Sequence, residues 1–252
     1  MKLIVVGSAS GLPVPDRNSS SYWIETSGGA YLIDAGDGTA RQLIRLGLDA
    51  NRLEGVFISH MHSDHASGLF MLLQLMHQIG RKKPFRIYLP EGVIPAFESV
   101  FPCFQIFREK WPYGFDLLPV SEGPFFQSGK FEITAVLNGH LFQNQVWAEE
   151  TGVGTDAYSF IFGEGPGKFV IYTSDIDSLY HLSGYKRKSE LLISECTHVE
   201  IETVIQFAKE KNIPKILFTH IPPEIESIKD KTAHRVDPPS ITFAEDGMNI
   251  EV

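Results

Sequence analysis

Residues 60 to 65 read His60-Met61-His62-Ser63-Asp64-His65, four metal-ligating groups in six positions, directly after the apolar run Val56-Phe57-Ile58-Ser59. In an extended segment side chains alternate faces, so His60 and His62 point the same way, while Asp64 and His65 fall where the chain turns into a helix. Two imidazoles, a carboxylate and a third imidazole therefore converge on one small volume. Such groups bind zinc and related divalent ions at about 2.0–2.2 Å. Four of them exceed what one catalytic zinc uses while keeping a position open for water, so the motif predicts two divalent metal ions. The histidine content suits Zn2+, and mixed nitrogen and oxygen sites also accept Mn2+ or Fe. A lone histidine would be read as a surface or core residue. Three histidines and an aspartate in this spacing, between a strand-like and a helix-like run, are read as ligands.

Further ligands of a site built on a sheet must come from other strand ends. His140 follows Phe131-Glu132-Ile133-Thr134-Ala135-Val136-Leu137-Asn138-Gly139, in which Phe131, Ile133 and Ala135 alternate with Glu132 and Thr134 as in a half-buried strand. Asp175 follows Lys168-Phe169-Val170-Ile171-Tyr172-Thr173-Ser174, and His220 follows Lys215-Ile216-Leu217-Phe218-Thr219. Each alone is also what a turn would carry. Together with the hexapeptide they form one candidate ligand set.

With these residues in order, the chain resembles the metallo-β-lactamase superfamily of two-metal hydrolases, and the resemblance covers essentially its whole length. It implies an α/β fold, an αββα sandwich of two mixed β-sheets with outer helices and the metals at one edge. It also implies one metal held by His60, His62 and His140, a second by Asp64, His65 and His220, and Asp175 bridging both. Asp34, in Leu32-Ile33-Asp34-Ala35-Gly36-Asp37-Gly38, also ends a strand. By itself it reads equally as a turn aspartate. The resemblance gives it a supporting role, in which its carboxylate accepts the free N–H of a ligand histidine and fixes the tautomer. Gly36 and Gly38 would then let the chain pass close to the metal loop.

The elements needed to position these groups are legible. Strands are expected near 2–6, 21–26, 30–34, 55–59, 86–90, 131–137, 157–162, 168–173, 191–195, 215–219 and 241–243. A helix is expected over 65–79, where Leu69, Leu72, Leu73 and Met76 recur at helical spacing, with His77 a packing or surface residue. A second helix is expected over 200–211, with Asn212 and Pro214 as stop signals. The 252 residues are 43% hydrophobic and show no low-complexity linker, which reads as a single domain over 1–252. The N-terminal run Met1-Lys2-Leu3-Ile4-Val5-Val6-Gly7 is too short and too soon polar for a secretory segment, and no run spans a bilayer. Only Cys103 and Cys196 are present, which excludes a disulfide framework or a cysteine zinc site. A cytoplasmic protein with no membrane partner is expected.

The bond broken is narrowed by local motifs. The loop from Gly7 to Ser20, with Pro13, Pro15 and Arg17-Asn18, resembles the first motif of ribonuclease Z, the transfer-RNA 3′-processing endonucleases; the stretch from Asp34 through Arg41 to Leu69 is similar to that group too. Farther on, Leu191-Leu192-Ile193-Ser194-Glu195-Cys196-Thr197-His198 places a histidine after an acidic residue, as in the cyclic-phosphate phosphodiesterase of the carbon–phosphorus lyase pathway. The tail Phe243 to Ile250 resembles the end of that enzyme. In the phosphodiesterase branches a histidine at this position faces the scissile phosphate.

The expected chemistry is attack on phosphorus by a hydroxide bridging two ions about 3.5–4 Å apart. Asp64 would orient or deprotonate the nucleophile, and His198 would protonate the departing alkoxide or stabilise the five-coordinate transition state. The expected substrate is a small or cyclic phosphodiester. RNA is the second choice, because the chain carries 31 acidic against 22 basic residues, a formal charge of −9, where nucleic-acid binding favours a basic surface. Its two basic runs, Arg81-Lys82-Lys83 and Lys186-Arg187-Lys188, read first as solvated loops. Ribonuclease Z also carries a long arm between the ligands matching His140 and Asp175, which here are only 35 positions apart. Leu141 to Ala148, leaving His140 directly, reads as a lid or wall. The aromatic stretch Phe101, Phe104, Phe107, Trp111, Tyr113 and Phe115 reads as core or homodimer contact ahead of a base-stacking surface. A thioesterase or lactonase would not need His198, and a non-enzymatic sensor would be expected to have lost a ligand.

Overall fold

The computed structural model describes residues 1–225 and 238–252. Its strands are β1 (Lys2–Gly7), β2 (Ser21–Thr26), β3 (Gly29–Ile33), β4 (Leu53–Phe57), β5 (Phe85–Pro90), β6 (Phe115–Val120), β7 (Gly123–Ser128), β8 (Phe131–Asn138), β9 (Ala157–Glu164), β10 (Phe169–Tyr172), β11 (Ser189–Glu195), β12 (Lys215–Thr219), β13 (Ser240–Phe243) and β14 (Asn249–Glu251). They form two seven-stranded sheets, ordered β14-β1-β2-β3-β4-β5-β6 and β13-β12-β11-β10-β9-β8-β7. In the first, β14, β1, β2 and β3 run antiparallel and β3 to β6 parallel. The second repeats the scheme, with β7 to β10 antiparallel and β10 to β13 parallel.

Period-2 alternation explains why the sheets stack. Leu3, Val5, Tyr31 and Ile33 of the first sheet meet Val170, Tyr172, Leu191 and Ile193 of the second in one shared core. The intervening Ile4, Val6, Ala30 and Leu32 face the other way and pack with the helices α1 (Thr39–Arg45), α3 (Leu69–Gln78) and α4 (Ile94–Val100) through Leu43, Leu69, Leu72, Leu73 and Phe97. On the opposite flank, Ile171, Leu192, Ile216 and Phe218 are covered by Val204, Ile205 and Ala208 of α6 (Ile201–Glu210). Strands buried on both faces read as continuous apolar runs, as β10 and β12 do. This is the expected αββα sandwich.

Departures from the expected elements have local causes. The helix expected over 65–79 is broken into α2 (Ser63–Ala66) and α3. Gly68 sits at the break because a Cβ there would lie 2.1 Å from the Gly36 carbonyl oxygen, while its own N–H donates to Ala35 O at 2.9 Å. β6 and β7 escape a pattern search because Pro119 and Pro124 interrupt them and β7 is only half-buried. Helix α5 (Gln145–Thr151) buries no residue at all, so it has no apolar period to detect. Among the described residues no helix is long and apolar enough to cross a membrane.

The first basic run is not a solvated loop throughout. Arg81 is 1% exposed, and its guanidinium donates to the carbonyls of Lys83, Ala50, Asn51, Leu53 and Pro84 at 2.7 to 3.2 Å, pinning the ends of β4 and β5. Lys83 pairs with Glu54. Replacing Arg81 by Ala orphans five carbonyls and is expected to cost about 3 kcal/mol or more in stability. A urea titration checks this: the midpoint should fall with the slope unchanged.

Candidate metal centre

The C-terminal ends of β3, β4, β8, β10, β11 and β12 meet at one edge, and the chemistry-bearing residues lie just beyond them. Asp34 directly follows β3, His60 comes three residues after β4, His140 two after β8, Asp175 three after β10, His198 three after β11, and His220 directly follows β12. Asp64 and His65 sit in α2, whose first turn carries the Asp64 carboxylate. Every residue singled out in the sequence as a ligand thus arrives at the same edge. His77 does not; it stacks on Trp111 at 4.9 Å between ring centroids.

Among the described residues, three groups have ligand atoms that all lie within 4.8 Å of one another: His60, His62, His140 and Asp175; Asp64, His65, Asp175 and His220; and Asp175, Glu195, His198 and His220, in which Glu195 and His198 are already bonded to each other. Asp175 belongs to all three. In the first, His140 Nε2 is 3.1 Å from His62 Nδ1 and 3.6 Å from Asp175 Oδ2, with His60 Nε2 at 4.0 Å from Asp175 Oδ2. In the second, His220 Nε2 is 3.0 Å from Asp64 Oδ2, and His65 Nε2 is 3.4 Å from Asp64 Oδ2 and 3.3 Å from Asp175 Oδ1. His60 Nε2, His65 Nε2 and Asp175 Oδ1 are buried with no hydrogen-bond partner. Orphaned buried lone pairs converging on two adjacent volumes are what a pair of divalent cations would satisfy, so the donor set fits two metals.

The groups behind these ligands fix their orientation. The Asp34 carboxylate, fully buried, accepts from His65 Nδ1 at 2.8 Å, Ser59 N at 2.8 Å, Ser59 Oγ at 3.0 Å and Tyr172 Oη at 2.7 Å. With Nδ1 donating to a carboxylate, Nε2 of His65 is left to face the centre. His60 Nδ1 lies 3.1 Å from Ser59 Oγ, which in turn receives the Ser174 hydroxyl at 2.7 Å, so a hydroxyl relay links His60 to Asp34. His220 Nδ1 meets Thr197 Oγ1 at 3.0 Å. Gly36 is required here, because a Cβ would lie 2.0 Å from the Asp64 carbonyl oxygen. Asp34, Ser174 and His220 all adopt left-handed backbone, with φ of 56°, 53° and 50°. Non-glycine residues hold that conformation at a cost of about 1–2 kcal/mol each.

Protonation follows burial and charge. Burial pushes the pKa of His60 well below the ordinary imidazole value, lowers that of His62, and brings His140 down to about 4, so all three offer neutral nitrogens. Burial also opposes a proton on His65, but Asp175 and Asp34 overcome it and hold its pKa well above normal. Asp175 and Asp64 resist ionisation through burial, yet the histidines around them, His220 and His65, keep both well below the carboxylate range. The Asp64 and Asp175 carboxylates are therefore anionic, and a cation held by the second group would take the place of the proton that these carboxylates favour on His65.

Beside the two groups lies a pair that sequence spacing resolved only in part. The buried Glu195 carboxylate accepts from His198 Nδ1 at 2.8 Å and from the backbone N–H groups of Ile176, Thr197 and His198 at 2.8 to 3.0 Å. The His198 ring stands 4.8 Å from that of His140 and 5.9 Å from that of His220. Its pKa is raised, chiefly by the Glu195 hydrogen bond. Glu195, Ser59, Ser174, Tyr172 and Thr197 were not singled out as functional in the sequence. Only Glu195, three residues before a histidine, carried a local signal.

A two-sheet sandwich with this centre at the strand ends defines a metal-dependent hydrolase of the metallo-β-lactamase fold. The chain superposes on YhfI from Bacillus subtilis, a metallo-β-lactamase fold protein, with a TM-score of 0.79 at 22% identity, covering 99% of this chain and 98% of that one. It superposes on a diphosphatase of the PhnP family with a TM-score of 0.74 at 18% identity, covering 100% and 97%. In sequence it is 27% identical to ribonuclease Z of Methanosarcina mazei over 88% of this chain and 87% of that protein. The family model described as anti-Pycsar protein Apyc1 matches residues 1–234, and the chain belongs to that family.

Removing the Asp34 carboxylate should loosen the centre without touching a metal-facing atom. Asp34→Ala is expected to lower divalent-ion affinity about 10–100-fold. Competition with a chromophoric chelator measures this, and Asp34→Asn, which still offers one acceptor, should fall between variant and wild type.

Proposed function

We propose that the protein is a phosphodiesterase acting on a small or cyclic phosphodiester. In this reading His60, His62 and His140 hold one divalent ion, Asp64, His65 and His220 a second, and Asp175 is shared. The histidine-rich donor set favours zinc. When bound, such ions lower the pKa of water and neutralise charge building on the phosphate oxygens. The remaining work falls to the chain itself. A water oxygen becomes bonded to phosphorus, and the bond to the leaving oxygen breaks with its electron pair on that oxygen. The Asp64 carboxylate, against which the backbone at Gly11 passes closely enough that a Cβ would lie 3.4 Å away, orients the attacking water.

The observation that carries the reading is the Glu195–His198 pair. With Nδ1 tied to Glu195, the His198 Nε2 nitrogen is free to give a proton to the departing alkoxide, a poor leaving group without one. The side chain is 39% exposed, open to a ligand while its partner is buried. A thioester, whose thiolate leaves readily, has no use for such a donor.

Transfer-RNA 3′ processing is the second reading, favoured by the ribonuclease Z relative. The disposition of basic residues speaks against it: Arg81 is buried under carbonyls, Lys83 pairs with Glu54, Arg187 with Glu132 at 2.6 Å and Lys188 with Glu190 at 3.0 Å. The interval from His140 to Asp175 is filled by α5, β9 and β10 rather than by a protruding arm.

The deciding assay is turnover of a chromogenic phosphodiester by metal-loaded protein, beside a chromogenic thioester and lactone. Phosphodiester turnover is expected, lost on chelation and restored by metal. An active thioester beside an inert phosphodiester would overturn the reading. His198→Ala should lower kcat about 10²–10⁴-fold at unchanged metal content. The pH profile supplies a second check. A raised His198 pKa keeps the acid form present to higher pH, so activity falls as pH rises through it. Glu195→Gln removes the largest raising contribution and should move that descending limb to lower pH.

A further inference from the structure

The tail between β13 and β14 holds the loop that leads from β1 toward the centre. Ala244 N–H donates to the Phe218 carbonyl of β12 at 2.7 Å and Gly247 N–H to the Val5 carbonyl of β1 at 2.7 Å, so Asp246 is fixed between the two sheets. Its Oδ1 accepts from Ser8 N at 3.0 Å and Ser8 Oγ at 2.8 Å. Its Oδ2 accepts from Asn18 N and Asn18 Nδ2, both at 2.7 Å. Ser8 and Asn18 stand on the two stems of the loop over residues 7–20, whose neck is closed further by Ala9 N–H donating to the Asn18 carbonyl at 3.0 Å. Bonds to a carboxylate are stronger than those between neutral groups, and here one carboxylate ties both stems.

What this neck holds lies beside the second ligand group. Gly11, within the loop, passes Asp64 so closely that a Cβ there would stand 3.4 Å from Oδ2. The Ser8 carbonyl accepts the N–H of Ile221 at 3.0 Å, directly after His220. On the other stem, Ser20 O accepts from Gly36 N at 3.1 Å and Ser19 N donates to Asp37 O at 3.1 Å, while the adjoining Ala35 N donates to His65 O at 2.8 Å. His220 keeps left-handed backbone, a conformation that persists only where its surroundings over-determine it. Resting on the assignment of Asp64, His65 and His220 to a second ion, we propose that Asp246 is a positioning residue for that ion, closing the neck of the loop and so holding Asp64 and His220 in place. With the loop closed, 12% of the Asp64 side chain is exposed; an open neck gives its carboxylate water and other rotamers. The role needs both carboxylate oxygens. Asn at position 246 keeps the volume but has one acceptor, and its NH2 group would face the donors of Ser8 or those of Asn18.

The test is a calorimetric titration of metal-free protein with zinc, the total bound being confirmed by elemental analysis. His62→Ala and His65→Ala, each removing a ligand of one group, assign the two binding steps. In Asp246→Asn the step of the second group should weaken about tenfold or more while that of the first stays within about twofold, as for a residue that supports ligands from behind. Asp246→Ala should behave alike. Amide hydrogen exchange at Ala9 and Ser19 of the metal-free protein should be faster in both variants than in wild type. An unchanged second step or an equal loss in both steps overturns the proposal. So does a loss confined to Asp246→Ala, because volume alone would then matter. If Asp246→Asn fails to fold by circular dichroism, Ser8→Ala and Asn18→Ala, each removing one side-chain bond to Asp246, should weaken the second step by smaller factors and leave the first unmoved. A wild type that takes up a single ion defeats the two-ion assignment instead, and exchange at Ala9 and Ser19 equal in wild type and variants defeats the hold of Asp246 on the loop.

Discussion

The buried carboxylate of Asp34 is the constraint on which the centre depends. An anion at zero exposure is tolerated only where donors compensate its lost hydration, and here the donors come from both sheets: Ser59 and His65 from the first, Tyr172 from the second. The same oxygen atoms that hold the sandwich halves in register therefore also set the orientation of a ligand histidine. Loss of any donor would leave charge uncompensated at the boundary between the sheets, and loss of the acceptor would orphan four donor groups at once.

The electrostatics of the edge follow from that arrangement. Three carboxylates, those of Asp34, Asp175 and Glu195, are buried within a few residues of strand ends, and each is matched by a histidine: His65, His220 and His198 respectively. Burial alone would favour the neutral form of Asp64 and Asp175. The histidines keep Asp64 and Asp175 ionised, while His60, His62 and His140 stay neutral because desolvation outweighs the attraction of Asp175.

Much of this was legible in the sequence because metal ligation concentrates rare residue types in short spacings. HMHSDH announces itself, and His140, Asp175 and His220 stand out as polar residues at the ends of apolar runs. Tyr172 does not, since a tyrosine closing the run Phe169-Val170-Ile171 looks like any core aromatic, and its hydroxyl bond to Asp34 spans 138 positions. Ser59 and Ser174 look like loop residues for the same reason. The aromatic stretch after residue 100 divides in a way spacing could not show, with Phe101, Tyr113 and Phe115 buried in the helix-side core and Phe104 exposed. Helix α5 was invisible because a helix that buries nothing leaves no hydrophobic period. Arg81 misled in the opposite sense, as a cation in a charge run that proves to be a structural donor.

The ligand set draws on residues from His60 to His220, which places its members on both halves of the duplicated sheet scheme. Cys103 and Cys196 are free, one exposed and the other buried, so no disulfide joins these halves among the described residues. A cation held between them would do the topological work of a disulfide, closing loops of tens of residues to well over a hundred and removing the corresponding freedom from the unfolded chain. Unlike a covalent staple it would be withdrawn by acid or by a chelator. The persistence of such a fold would then follow the local supply of a divalent ion.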